Sequence, residues 1–316
     1  MEKNWSAKQM PRQGGKLAIV TGANRGLGYY TSLELARAGA EVIMAARDGK
    51  TAADARAQIL AEVPAAKLKV EHLDLASLGS VREFANRVAG AHNRLDLLVN
   101  NAAVMSLPTR QVTVDNYERQ FATNHLGHFA LTGLLLPLLC SAPAPRVVTV
   151  ASGLAAFGRL DFDNLQSEKR YVPQGAYEVS KLANLLFMLE LNRRAPPGLL
   201  SVGAHPGVAS TDLPQSGLVW LHKVASQHPS TGALSQLYAA AGDDVAGGDY
   251  FGPRGLLEMY GPPKKTKVTK RALDESNARE LWKRSEALTG VSFALEAKPD
   301  PAPALGSPSH RIVVAS

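Results

Sequence analysis

Short apolar runs alternate with helix-length stretches along most of this chain, and that alternation restricts the fold more than any other feature. The runs are Lys16–Val20, Glu41–Ala45, Lys67–Leu73, Leu95–Val99, Arg146–Ala151 and Leu199–Ala204, with a shorter one near Asp249–Phe251. Helical patterns run up to Gly39, then cover Thr51–Val63, Ser77–Ala91, Val114–Phe121, Asn124–Leu139, Gln174–Arg193 and Thr231–Ala241. Strands buried on both faces read as unbroken apolar runs, and their alternation with helices predicts an α/β fold, a doubly wound parallel sheet with helices on both faces. Residues 16–290 contain no linker and are read as one domain behind a polar lead-in, residues 1–15. Residues 291–316 are rich in Pro, Ala and Ser and are expected to form a largely disordered extension.

The first strand ends in Thr21-Gly22-Ala23-Asn24-Arg25-Gly26-Leu27-Gly28, directly before the first helix. Glycines at such a turn let backbone N–H groups approach a pyrophosphate, and the helix N-terminus favours its negative charge. The spacing is Gly-x-x-x-Gly-x-Gly rather than the general dinucleotide fingerprint, but the strand–turn–helix setting makes this a Rossmann-type cofactor site. An acidic residue at the end of the second strand would bind the ribose 2′-hydroxyl of NAD, whereas an arginine suits a 2′-phosphate. The strand ends Ala45-Ala46-Arg47-Asp48, and Arg25 in the glycine turn offers a second guanidinium. NADP(H) is therefore expected in preference to NAD(H). Asp48, beyond Arg47, is read as the cap of the following helix.

Composition excludes several other classes. Cys140 is the sole cysteine, so no intramolecular disulfide forms. It ends an apolar helical run and is expected to be a small buried hydrophobe rather than a nucleophile. The N-terminus has no apolar signal core, and the longest greasy stretch, Leu131–Cys140, is half a membrane span. A soluble, cytoplasmic protein is expected. The net charge is +7, part of it in Lys264, Lys265, Lys267, Lys270 and Arg271, which no aromatic residues interleave. That cluster reads as a solvated loop, and nucleic acid is not expected as a partner. His125 and His128 are three apart with no third ligand of suitable spacing, so they are read as structural rather than metal-binding.

Tyr177 and Lys181, four apart on one helix face, supply the candidate chemistry. A free phenol, with a pKa of about 10, is a poor acid or base near neutrality. A nearby ammonium favours the phenolate and brings it closer to working range.

The glycine turn, Asp74-Leu75 after the third strand, Asn100-Asn101-Ala102, Asn124, Ser152, Tyr177 with Lys181, and His205-Pro206-Gly207 occur in one order across about residues 16–255. Together they resemble the short-chain dehydrogenases/reductases. Thr123–Phe129 and Tyr177–Asn184 look like the branch holding retinol dehydrogenases and protochlorophyllide reductases, and Leu281–Gly290 resembles the C-terminal end of its bacterial members. The resemblance implies that Tyr177 is the proton donor in carbonyl reduction and the base in alcohol oxidation. It implies that Lys181 lowers the Tyr177 pKa and binds the nicotinamide ribose, and that Ser152 polarises the carbonyl. Asn124 would hold a water linking Lys181 to solvent. For the cofactor it implies Gly22, Asn24, Arg25, Gly26, Leu27 and Gly28 at the phosphates, and Asp74 and Leu75 near the adenine. Asn101, Ala102 and Ala103 would line the adenosine side, and Pro206, Gly207, Val208 and Thr211 the nicotinamide end. Ala103 departs from the glycine common at that position. A homodimer or homotetramer is also implied, through the helices carrying Asn124 and Tyr177.

Two loops, residues 153–174 and 208–230, should shape the substrate pocket. Leu154, Phe157, Leu160, Phe162, Leu165 and Tyr171 in the first, and Leu213, Leu218, Val219, Trp220 and Leu221 in the second, point to a lipophilic carbonyl or alcohol. Packing of the loops onto the core explains the same residues equally well. His205 either borders the cofactor or shapes the backbone. The motifs leave two alternatives open: reduction of a C=C bond by the same Tyr and Lys, and a cofactor-binding regulator without turnover.

Overall fold

In the computed structural model, which describes residues 4–207 and 227–295, the seven runs and one further strand assemble into one eight-stranded sheet. The strands are β1 (Leu17–Thr21), β2 (Glu41–Ala46), β3 (Lys67–His72), β4 (Leu97–Asn100), β5 (Arg146–Val150), β6 (Leu200–Ala204), β7 (Tyr250–Pro253) and β8 (Pro263–Thr266). Their order is β3-β2-β1-β4-β5-β6-β7-β8, parallel throughout except for the antiparallel β7–β8 pair. This is the expected doubly wound α/β fold. The helices are α1 (Gly26–Arg37), α2 (Gly49–Glu62), α3 (Leu78–Ala91), α4 (Arg119–Phe121), α5 (Gly127–Cys140), α6 (Pro173–Arg194), α7 (Pro229–Gly232), α8 (Leu234–Ala241) and α9 (Glu275–Thr289).

Every residue of β1 and β4 is buried, because helices cover both faces of the central strands. One core lies between the sheet and α1, α2 and α8, and a second between the sheet and α3, α5 and α6. Chain order reverses between β1 and β4, and a crevice opens there at the carboxyl ends of the strands, as such sheets require. Local signals set the helix starts. Asp48 accepts from the Thr51 N–H at 2.9 Å and caps α2, as expected; Ser77 does the same for α3 through the Ser80 N–H at 3.3 Å.

Several expectations change. Residues 114–118 are not helical: Val112 bridges to Glu118 across a turn with Asn116 at φ +63°. The buried Glu118 carboxylate accepts from the N–H groups of Gln120 and Phe121, so the helix begins only at Arg119. The pattern from Asn124 is split into a π turn, Ala122–Leu126, followed by α5. Cys140 is exposed, because the last turn of α5 turns that side outward. The lysine-rich stretch contains an edge strand, β8, whose lysines have partners: Lys264 pairs with Glu258 at 2.9 Å and Lys265 with Asp249 at 2.5 Å. A lysine-bearing edge strand lacks the apolar run by which inner strands are recognised.

The ends of the described chain also belong to the core. Trp5 and Met10 in the lead-in are buried, with Trp5 edge-on to Tyr238 at 5.0 Å. Val291 and Phe293, which fall in the expected extension, are buried against α5 and α9; residues 296–316 lie outside the described residues. Trp282 of α9 packs in a cluster with Phe129, Phe187 and Phe293, and Arg194 lies 4.7 Å over its ring. Helix α9 thus covers part of α5 and α6. Among the described residues no helix is long and apolar enough to cross a membrane.

Candidate active site

The crevice is a cavity of about 950 Å³. The glycine turn forms its floor at one end. Gly22 has φ +66°, and a Cβ on Gly28 would lie 2.2 Å from the Gly22 carbonyl oxygen, so neither position accepts another residue without a shift of backbone. No side chain caps the start of α1, which leaves its first-turn N–H groups facing the cavity. Asn24 donates to the Thr51 hydroxyl at 2.9 Å, tying the turn to α2. Arg25, Leu27 and Arg47 line the same end; both guanidiniums are exposed, and neither has a side-chain partner among the described residues.

Tyr177, Lys181 and Ser152 meet at the other end. Ser152 follows β5 and lies near enough to Tyr177 to favour its phenolate, while its oxygen accepts from the Leu154 N–H at 3.2 Å. Lys181 donates to the Val150 carbonyl at 3.0 Å, and its Nζ lies 5.7 Å from the centre of the Tyr177 ring. Both side chains are buried. Burial pushes the Tyr177 phenol up to about 12, against the smaller opposing effect of Ser152, and pushes the Lys181 ammonium down to about 7. The expected lowering of the Tyr177 pKa by Lys181 is therefore overridden in this state. A positive charge held beside the ring favours the phenolate. The ammonium can offset burial, but only while Lys181 keeps its proton.

Asn124 lies behind the cavity wall, on hydrogen bonds to that wall. Its Oδ1 accepts from the Val104 N–H at 2.8 Å, and its Nδ2 donates to the Val104 carbonyl at 2.9 Å and to Ser180 Oγ at 2.9 Å. Those bonds make the side chain a clamp for the cavity wall. Its main-chain carbonyl accepts from His128 Nδ1 at 3.0 Å. The other ring nitrogen, Nε2, must then be the acceptor for the Thr21 hydroxyl at 2.9 Å. Thr21 Oγ1 in turn accepts the N–H groups of Asn101 and Ala102 at 2.9 and 3.0 Å. His128 is kept neutral by burial, which pushes it down to about 4, with Lys181 adding to the effect. His125 is bonded to Ser285. Both histidines serve the fold, and among the described residues no group is arranged to hold a metal.

Asp74, Leu75, Ala103, Pro206 and Gly207 line the cavity as the resemblance implies, and so do Asn101 and Ala102. The Asn101 carboxamide, however, donates to the Thr21 carbonyl at 2.7 Å, holding β1 and β4 together at their ends. Ala103 causes no misfit. Val208 and Thr211, with the apolar residues from Leu213 to Leu221, lie outside the described residues. Of the first loop's apolar side chains only Leu154 lines the cavity. Leu160, Phe162 and Leu165 pack into the core, the Tyr171 hydroxyl donates to the Leu107 carbonyl at 2.7 Å, and Phe157 is exposed. His205 borders the cavity, bonded to Glu258. Leu257, Glu258 and Met259 complete that wall. No sequence signal marked them, since they sit in a turn outside any motif.

The short chain dehydrogenase family pattern matches residues 16–218, and the chain belongs to that family as an oxidoreductase of its retinol dehydrogenase-like branch. It is 40% identical to retinol dehydrogenase 14 of Mus musculus over 302 residues, covering 88% of this chain and 86% of that protein. It is 40% identical to mouse retinol dehydrogenase 13 over 298 residues, covering 89% and 85%. The crystal structure of an uncharacterized protein from Mycobacterium Paratuberculosis superposes with a TM-score of 0.79 at 40% identity, over 92% of this chain and 99% of that one. A short chain dehydrogenase from Escherichia coli CFT073 complexed with NADPH shares the fold at 24% identity and a TM-score of 0.64, over 76% and 96%.

The depressed Lys181 pKa has a consequence for stability. Between about 7 in the folded protein and about 10.4 in the unfolded chain, the unfolded state binds more protons, so stability rises with pH. Thermal unfolding of the wild type and Lys181→Met between pH 7.5 and 9.5 should show a rise in Tm with pH that is smaller in the variant. Parallel curves would contradict a depressed ammonium.

Proposed function

We propose that the protein is an NADP(H)-dependent oxidoreductase interconverting a lipophilic carbonyl compound and its alcohol, with Tyr177 as the acid and base. The observation that carries this is the meeting of Tyr177, Ser152 and Lys181 at one end of a cavity whose other end is a glycine cradle with two unpartnered guanidiniums. The cradle fits a dinucleotide: glycine at 28 lets α1 pack closely on the Gly22 turn, and the uncapped start of α1 suits a pyrophosphate. Arg25 and Arg47 would hold the 2′-phosphate, and Lys181 the ribose of the nicotinamide. The bound cofactor supplies the hydride.

The chain's own groups handle the proton. Ser152 and Tyr177 offer two hydroxyls to a carbonyl oxygen, one to polarise it and one to protonate it. Lys181 stabilises the phenolate left behind. Val104, held by Asn124, and Leu154 and Met259 give the site an apolar lining. Relatives named retinol dehydrogenases support a lipophilic substrate. Helix α9 with Val291 and Phe293 covers α5 and α6, so pairing through those helices would have to use what α9 leaves free.

Tyr177→Phe should lower turnover of a carbonyl panel, followed by NADPH absorbance, by about a hundredfold or more, with NADPH binding within about threefold of wild type; retention of most activity would sink the assignment. Arg47→Asp should cut the preference for NADPH over NADH by about tenfold or more, and an unchanged ratio would refute the phosphate reading.

A further inference from the structure

The turn between β7 and β8 is held in a conformation that its residues disfavour. Leu257 (φ +50°) and Glu258 (φ +59°) are consecutive non-glycine residues in the left-handed region. There the Cβ of each crowds the carbonyl oxygen that follows it, and such geometry persists only where the surroundings impose it.

Glu258 is what imposes it. Its carboxylate accepts from His205 Nε2 at 3.1 Å, from Lys264 Nζ at 2.9 Å and from the Thr266 hydroxyl. His205 Nδ1 accepts from the Gly207 N–H at 3.3 Å, which leaves Nε2 as the donor to Glu258. The imidazole is itself seated tightly. It lies 5.3 Å from the Tyr250 ring, and a Cβ on Gly252 would come within 1.9 Å of its Nε2, so only glycine admits it. The hydrogen bond from His205, reinforced by Thr266 and Lys264, holds the Glu258 carboxyl down to about 2, so the anchor stays charged over the working range of pH.

All this anchoring delivers an apolar side chain to the edge of the cavity. Leu257 lines the cavity yet is 82% exposed, and Leu256 beside it is 68% exposed. Packing does not explain the strain, because the strained leucine packs so little. The wall it belongs to leads to the reacting end: the His205 ring packs beside Tyr250, and Tyr250 lies close enough to Tyr177 for the latter to help raise its pKa, after the larger effects of burial and Glu258.

We propose that Leu257 is a specificity-determining contact for the hydrocarbon part of the substrate, and that Glu258 is the positioning residue that holds it at the cavity mouth. This rests on the carbonyl reading above and adds to it a residue that recognises chain length. Contact with a growing alkyl chain makes catalytic efficiency rise with length, since each buried methylene adds to binding.

The test uses the full chain with saturating NADPH and a series of unbranched aldehydes from propanal to decanal. Leu257→Ala keeps the strain and removes the contact; Leu257→Gly removes both. Both should lower the decanal-to-propanal ratio of kcat/KM by about tenfold, and Leu257→Gly should also raise Tm by about 2 °C. Glu258→Gln should lower the same ratio through a raised KM for decanal. A wild-type ratio that the three variants leave unchanged, or equal losses on propanal and decanal, overturns the inference while leaving the carbonyl reading intact. A wild type that turns over none of the aldehydes overturns both.

Discussion

Burial of a phenol and an ammonium one helical turn apart is the constraint on which the site depends. Tyr177 and Lys181 are each pushed toward neutrality by loss of water, the phenol upward and the ammonium downward. Neither charge is stable alone, but the two together attract. In the proposed reaction such a pair would shuttle a proton readily only with the ammonium retained, so whatever keeps Lys181 charged would also make Tyr177 the more effective acid and base. Groups that bind at the crevice act on that balance from outside the pair.

The scaffold supports the pair through a continuous network rather than through isolated contacts. Thr21 at the end of β1 holds the Asn101–Ala102 turn and the His128 ring. His128 holds the Asn124 carbonyl, Asn124 holds Val104 and Ser180, and Ser180 donates to the Tyr177 carbonyl at 2.7 Å. The glycine turn and the reactive helix are thereby fixed relative to each other by buried, satisfied hydrogen bonds. A neutral His128 is essential to this, because a second ring proton would displace the Thr21 hydroxyl from its acceptor.

The sheet was legible because each inner strand is an apolar run and each crossover a helical period. The glycine turn and the Tyr177–Lys181 pair stand out by their spacing, and the structure brings both, with Ser152, to one cavity. What escaped had physical reasons. β8 is an edge strand whose lysines look like a loop. Trp5, Val291 and Phe293 are single apolar residues in polar surroundings, with no period to mark them. The clamp that Asn124 makes on Val104 and Ser180 was not legible, because residue type says nothing of which bonds the carboxamide makes. The Leu257–Glu258 turn has no motif at all; only its backbone angles and the partners of its carboxylate reveal it. The direction of the Tyr177 shift was missed for a similar reason, since spacing shows a neighbouring charge but not the depth of burial.

The balance between burial and charge at Tyr177 is measurable directly. Ultraviolet difference titration of the free protein, wild type against Tyr177→Phe, isolates the phenolate absorbance of this one tyrosine. If burial dominates, no phenolate attributable to Tyr177 appears up to about pH 10.5, above the ordinary phenol range. A Tyr177 phenolate with a midpoint below about 10 would mean that the Lys181 ammonium dominates in the free protein, and would contradict the central claim.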